Sequence, residues 1–388
     1  MNILIVSHGI PSKADPQWGC FELDQARALQ ARGHKISIVA IDGRFRHEKR
    51  RIGFRHTVFD GIDTCVYYLF PLRLIPFRRL RLWFRDHMML RLFYHMVRYN
   101  GFPDIIYAHY FFTLSQLSLI RHRYPEIPVL GIEHAGRIIK NDVFSREYCI
   151  RMKRAYKNAD TVLSVSPALR DALLNKFGVN SEVLFDMVGK EFLVEEINRK
   201  KHSPFKFVTT GSLVEDKAID LILKALGRIE DQLSELFIVG DGPERDNLSA
   251  LASSLGLSNR VHFLGMCNKR QIIELYQECD VFVLVSRLET FCVVNIEAMA
   301  MGLPVISTRC GGPEYYINKD NGILLEVDDL ESLVAAMNTM ELIIDKYDPQ
   351  ELREYVRSRF SGEMIAQQAE SIMKKTIEQK KQLNKSSL

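Results

Sequence analysis

Short apolar runs rich in β-branched residues alternate with helical stretches along this chain, and after one polar interruption the alternation starts again. Residues 3–6 read as a strand, 21–32 as a helix closed by Gly33, and 35–41 as the next strand. Further strands follow at 104–108, 129–132 and 161–165, with helical segments at about 113–121 and 167–177. The same rhythm returns at 206–210, 236–239, 260–263, 281–285 and 304–307. Strands separated by helices pair in parallel, and a parallel sheet is covered on both faces. The expected class is therefore α/β, with two doubly wound, Rossmann-like domains. A length of 388 residues, too long for one ordinary core, agrees with that division.

The interruption at 189–204 contains Asn198-Arg199-Lys200-Lys201-His202-Ser203 and reads as an interdomain linker, which sets the domains at 1–188 and 205–363. The tail from about 364 to 388 is polar and helix-prone, with fraying expected from Lys380 onward.

No apolar run approaches the length of a membrane span. The opening Met1 to Val6 lacks a basic leader and reads as a first strand rather than a signal peptide. The seven cysteines form no C-x-x-C pair, which points to a reduced, cytoplasmic setting and away from a zinc site. Net charge is +4, yet the segment from Arg44 to Tyr99 alone carries +9. Positive charge that is concentrated in this way implies a surface with an anionic partner.

The segment from Ser286 to Ser307 is the most informative for chemistry. A buried-type strand over 281–285 leads to Glu289; Glu297 then falls in the first turns of a helix stopped by Gly302. Both carboxylates thus lie at the carboxyl edge of a parallel sheet, where open α/β sheets bind ligands. The segment resembles the E-x7-E signature of the retaining glycosyltransferases of family GT4. It matches at Glu289, Phe291, Glu297, Ala298, Ala300, Gly302, Pro304 and Val305, and departs at Thr290 and Cys292, where the family usually has glycine. The resemblance covers most of the chain. It implies the GT-B architecture, two Rossmann-like domains facing a central cleft, with the last helix returning to the first domain.

What the resemblance implies for the site follows residue by residue. Glu289 would hydrogen-bond the donor sugar and Glu297 would chelate the nucleotide ribose, as charge-assisted acceptors. Gly211-Ser212-Leu213-Val214-Glu215-Asp216-Lys217-Ala218 stands in place of G-R-L-x-x-x-K-G, so Lys217 would meet the leaving diphosphate. The family's usual arginine is Ser212 here and a common glycine is Ala218. Arg137 and Arg287 are candidate second cations, and the amides of Phe291, Cys292 and Val293 at a helix start offer an alternative. Gly240, in Val239-Gly240-Asp241-Gly242-Pro243, would permit a tight turn at a strand end in the donor site, and Phe263 with Leu264, in Val261-His262-Phe263-Leu264-Gly265, would bring backbone groups to the nucleobase. Gly311-Gly312-Pro313-Glu314 completes the set. In the first domain, Gly19 would admit the diphosphate to the backbone. His134 would reach the donor sugar or the phosphate; His109 is a further candidate.

The expected catalytic set is His134, Lys217 and Glu289. No metal or cofactor is expected, the nucleotide-diphosphate sugar being a substrate. The acceptor would be a lipid-linked or polysaccharide glycan of a bacterial surface. A helix over about 76–99 places Arg78, Arg81 and Arg85 on one face, with Arg79 beside them and Leu80, Trp83 and Phe84 supplying apolar surface. Arg78, Arg79, Arg81, Trp83 and Arg85 are therefore expected to contact an anionic membrane, placing the protein on the inner face of the cell membrane. No nucleic-acid-binding module accompanies the charge. A nucleotide-sugar epimerase sharing the fold, or a non-catalytic scaffold derived from it, are the competing readings. A dinucleotide oxidoreductase is disfavoured, since no strand is followed by G-x-G-x-x-G.

Overall fold

The computed structural model describes the chain apart from residues 13–14, 16–17, 45–50, 70–76, 141–143, 195, 198–200 and 387–388, and apart from the side chains of 78, 79 and 194. It divides into two compact units: Met1–Val165 with Leu169–Phe185 and Ile365–Leu388, and Ser166–Ala168 with Asp186–Met364.

The first unit is built on eight strands: β1 (Asn2–Ser7), β2 (Lys35–Asp42), β3 (Gly53–Phe59), β4 (Ile62–Tyr68), β5 (Ile105–His109), β6 (Val129–Glu133), β7 (Thr161–Ser164) and β8 (Glu182–Val183). Their order is β3-β4-β2-β1-β5-β6-β7-β8. Ile3, Leu4, Ile5 and Val6 of β1 are all buried, as a central strand covered on both faces requires. Pairing is parallel except at the β3–β4 hairpin. The hairpin turns at Asp60 and Gly61, with φ of 53° and 76°. Two successive positive φ values define the turn that Asp-Gly favours. These two strands were not among those read from the sequence.

Helix Arg78–Asn100 changes character along its length. Met88, Met89, Leu90, Leu92, Phe93 and Met96 are buried, whereas Leu80, Leu82 and Trp83 near its start, and Phe77 before it, are exposed. The expected helix over 113–121 is broken into Phe111–Leu114, a 3-10 turn Ser115–Leu117 and Ser118–Arg123. The final helix, Gly362–Ser386, continues past Lys380 instead of fraying there. Lys380 Nζ lies 2.9 Å from Asp160 Oδ1, and Arg32 Nε donates to Glu370 Oε2 at 2.7 Å.

The second unit has six parallel strands: β9 (Lys206–Thr210), β10 (Glu235–Val239), β11 (Val261–Gly265), β12 (Val281–Leu284), β13 (Val305–Thr308) and β14 (Gly322–Leu325), in the order β11-β10-β9-β12-β13-β14. Its core joins Phe207, Val281, Val283 and Ile306 of the sheet to Ile222, Leu223 and Met337 of flanking helices. The described residues of 186–204 pack within this unit. Phe192 is fully buried, Arg353 Nη2 donates to its carbonyl at 3.1 Å, and the His202 amide donates to Asp280 Oδ1 at 3.0 Å. Asn198, Arg199 and Lys200 lie outside the described residues.

Within the parallel strands, strand order reverses between β1 and β5 in the first unit and between β9 and β12 in the second. At such a point the two following connections depart to opposite faces, leaving a crevice at the carboxyl edge.

Candidate active site

The crevice of the second unit is lined by the loops that follow β9 and β12. Beyond β9 the chain passes Gly211 and Ser212, buries Leu213, and makes a 3-10 turn at Glu215–Lys217. Ala218 follows with φ of 50°, a left-handed conformation that a glycine adopts at no steric cost. The loop after β10 is pressed against this one. A Cβ on Gly240 would stand 1.8 Å from the Gly211 carbonyl oxygen, and one on Gly242 would stand 2.4 Å from that of Leu213. These glycines are there so that two backbone layers can touch.

The loop after β12 brings Glu289 to meet Lys217. Lys217 Nζ forms an ion pair with Glu289 Oε1, which also accepts from Ser286 Oγ at 2.8 Å. The Glu289 amide donates to the Cys310 carbonyl at 2.9 Å, so the loop is tied to the end of β13. Burial pulls the Lys217 ammonium toward neutrality. The Glu289 carboxylate and the other neighbouring groups together outweigh it, and the net shift is upward. The lysine therefore stays charged. A fixed cation and a carboxylate side by side, neither fully buried, can receive a phosphate and a hydroxyl respectively. Burial pushes the neighbouring thiols up, Cys310 to about 12 and Cys292 well above the usual thiol range, so both remain neutral.

Phe291 is buried, Cys292 has φ of 75°, and the helix Val293–Ala300 begins immediately after. Glu297 sits in its second turn. Burial, and next the Glu297 carboxylate, push the Tyr276 hydroxyl well up. That hydroxyl donates to Thr210 Oγ1 at 3.1 Å, which places Glu297 near the end of β9. Phe263 and Leu264 lie on β11, with Leu264 exposed. Arg245, which the sequence reading passed over, lays its guanidinium 4.1 Å above the Phe263 ring, and its Nη1 is buried without a partner.

Arg287, one proposed second cation, is not aimed at the Lys217–Glu289 pair. Arg287 donates from Nη1 to the Glu215 carbonyl at 2.5 Å and from Nε to Asp328 Oδ1 at 2.8 Å; its amide donates to the Asp216 carbonyl at 2.7 Å. It clamps the turn that carries Lys217. Arg137 lies in the first unit, its guanidinium 5.8 Å from the Phe144 ring centre. Ser212 is exposed.

The first unit has its own polar cluster at the β1–β5 reversal. Glu22 is buried in helix Cys20–Ala31 and its Oε1 lies 2.5 Å from His8 Nδ1 and 3.2 Å from Ser7 Oγ. His109 Nδ1 stands 3.2 Å from His134 Nε2, and the His134 ring stacks on Phe21. Burial drives His109 down to about 3, so it is neutral. Burial would raise the Glu22 carboxyl, but hydrogen bonding to His8 and the neighbouring imidazoles hold it below the usual range. Gly19 has φ of 78°, and a Cβ there would come within 2.5 Å of the Gly9 carbonyl oxygen. That glycine is demanded by the protein's own backbone.

The profile for "Glycosyltransferase Family 4" matches residues 23–184, and that for "Glycosyl transferases group 1" matches residues 190–360. The lipopolysaccharide core biosynthesis glycosyltransferase LpsE of Rhizobium meliloti is 30% identical over 253 residues, covering 62% of this chain and 73% of LpsE. This chain belongs to glycosyltransferase family 4. The putative teichuronic acid biosynthesis glycosyltransferase TuaC of Bacillus subtilis is 26% identical over 88% of this chain and 89% of its own. Anabaena HepE, solved in complex with UDP, superposes with a TM-score of 0.72 at 21% identity, over 97% of this chain and 100% of HepE. The glycosyltransferase thus has the GT-B fold.

Within this glycosyltransferase the structure joins Lys217, Glu289 and the Gly211 loop, while His134 and Gly19 belong to the other unit. Glu22 and His8 were missed by sequence reading. The available signal was a carboxylate at position 22 in the stripe of Leu23, Ala26 and Leu29, the buried face of its helix.

Among the expected membrane contacts, Arg85 is partly exposed, with its Nε buried without a partner and burial lowering its pKa. Arg81 is partly exposed and Trp83 exposed; the side chains of Arg78 and Arg79 lie outside the described set. Among the described residues no helix is long and apolar enough to cross a membrane.

Proposed function

We propose that this glycosyltransferase moves a hexose-type sugar from a nucleotide-diphosphate donor, with retention of anomeric configuration, to a lipid-linked or polysaccharide acceptor in bacterial surface glycan synthesis. The observation that carries the reading is the Lys217–Glu289 pair at the strand-order reversal of the second unit. Lys217 meets the diphosphate, Glu289 accepts hydrogen bonds from the sugar, and Glu297 accepts them from the ribose. When donor binds, the charge of Lys217 passes from Glu289 to phosphate, and the carboxylate is released for sugar hydroxyls. The second unit's other donor contacts are the backbone at Gly211, Gly240, Phe263, Leu264 and 291–293. His134 and Gly19 serve from the first unit. In this reading the diphosphate needs no metal.

LpsE and TuaC are named for lipopolysaccharide core and teichuronic acid biosynthesis, which supports the surface-glycan assignment. HepE was solved with UDP, which makes uridine nucleotides the first to try. Exposed Phe77, Leu80, Leu82 and Trp83 beside Arg81 support peripheral attachment to an anionic membrane on the cytoplasmic side.

Thermal shifts across UDP-, GDP- and ADP-sugars test the donor. A ligand at about a hundred times its dissociation constant stabilises by about 2.7 kcal/mol. The binding sugar is then supplied with isolated lipid-linked glycans, and the anomeric proton of the product is read by NMR. Inversion of configuration, or EDTA-sensitive donor binding, would each count against the proposal. An absence of any shift would remove its basis.

A further inference from the structure

The chain between the two carboxylates contains a conformation that its sequence does not favour. Cys292 has φ of 75° and ψ of 72°, although a Cβ crowds the backbone in the left-handed region. The family pattern has glycine at this position. Something in the fold must therefore do what glycine does elsewhere.

Two features converge on the Phe291–Cys292 peptide. On one side Gly312 touches it so closely that a Cβ there would stand 2.5 Å from Phe291 Cα. On the other side lies Tyr316, whose hydroxyl is 2.9 Å from the Phe291 carbonyl oxygen and 3.0 Å from that of Cys292. The hydroxyl also accepts from Asn295 Nδ2 at 3.2 Å, and the same nitrogen donates to Ser307 Oγ at 3.1 Å. Tyr316 is fixed in turn, because its own carbonyl accepts from Tyr355 Oη at 2.7 Å and from Asn321 Nδ2 at 2.9 Å. Its ring packs 5.2 Å from that of Phe291. Burial keeps the phenol protonated, so the hydrogen is always there to donate.

We propose that Tyr316 is a positioning residue that holds Cys292 in the left-handed conformation and thereby sets where Glu289 and Glu297 stand relative to each other. Glu289 is three residues before the strained position and Glu297 five after it, with Phe291 anchored between. Relaxation at Cys292 rotates the start of helix Val293–Ala300 against the Glu289 loop. The carboxylate pair would then no longer fit one donor. This inference rests on the proposed donor roles of the two glutamates.

The test is a cycle of Tyr316→Phe, Cys292→Gly and the double variant in the full chain. Phenylalanine keeps the ring, so packing is retained and only the hydroxyl is lost. Urea unfolding is measured alongside affinity for UDP, GDP and ADP, and donor KM wherever transfer is detected. Tyr316→Phe should weaken binding of the nucleotide that wild type prefers by about tenfold or more. Glycine at 292 needs no anchor, so the double variant should bind within about threefold of Cys292→Gly alone. Losses that multiply in the double variant, in affinity or in urea stability, would overturn the proposal. So would unchanged donor affinity in Tyr316→Phe. If wild type binds none of the nucleotides, the donor reading itself fails, and the urea cycle alone decides whether Tyr316 holds the backbone.

Discussion

Both units place acidic and basic side chains where strand order reverses, yet the two places are built differently. In the second unit Glu289 and Lys217 are each partly exposed, at 13% and 21%, and among the described residues Glu289 has Ser286 as its one further side-chain hydrogen-bond partner. In the first unit Glu22 is 1% exposed, tied to His8 and Ser7, with neutral His109 nearby. A partly solvated pair can exchange partners at modest cost when a ligand arrives. A buried one cannot, because removing a partner strands the other in low dielectric. The comparison separates a site that waits for a ligand from a cluster that holds the fold together while presenting His134.

The sharpest way to break this distinction is to delete the carboxylate that is buried. Glu22→Ala should cost about 3–5 kcal/mol of stability in urea unfolding, since it leaves partly buried His8 without its carboxylate partner. A variant as stable as wild type would show that Glu22 is dispensable to the fold. Lys217→Ala should do the reverse. Transfer should fall by about 2.7–4 kcal/mol of transition-state stabilisation, while the unfolding midpoint barely moves. Arg287→Ala sharpens the second half. Arg287 steadies the Lys217 turn without facing the pair, so a loss of about tenfold is expected, consistent with two side-chain hydrogen bonds of positioning. Losses equal to those of Lys217→Ala would make Arg287 a second phosphate cation.

Acid should find the first unit before the second. His109 is neutral in the fold down to about pH 3, whereas the unfolded chain takes up that proton near its ordinary 6.5. Stability should therefore fall as pH drops below 6.5, by at most about 1.4 kcal/mol per pH unit from this residue. Glu22 acts in the same direction later. Its folded pKa is depressed, so its contribution is present above about 4.5 and lost below. Urea titrations of His109→Gln should show a flatter profile between pH 6.5 and 4.5; an unchanged slope would assign the acid sensitivity elsewhere. The smallest effect concerns the membrane. Arg81→Ala should weaken binding to anionic vesicles about fivefold, and Arg85→Ala less, because the Arg85 Nε is buried. Equal losses would give Arg85 an equal share in the contact.

Much of the candidate site was legible because period and punctuation are local. Strand-to-loop order put Glu289 and Glu297 at the sheet edge, and Gly302 stopped the helix with φ of 79° as anticipated. The β3–β4 hairpin was legible too, from Asp60-Gly61, but the surrounding basic residues drew attention away from its alternation. Arg85 could not have been placed from the helix alone. The face it shares with Arg81 is exposed or packed according to where the sheet begins beneath it.

The sequence by itself determined two parallel-sheet units, the family and the edge on which its carboxylates sit, since these depend on spacing along the chain. Tertiary structure alone decided that Lys217 pairs with Glu289 across 72 positions, that Arg287 serves the turn, and that Tyr316 stands in for a missing glycine. Those contacts join loops from different strands. Strand order, which no local pattern encodes, sets which of those loops meet.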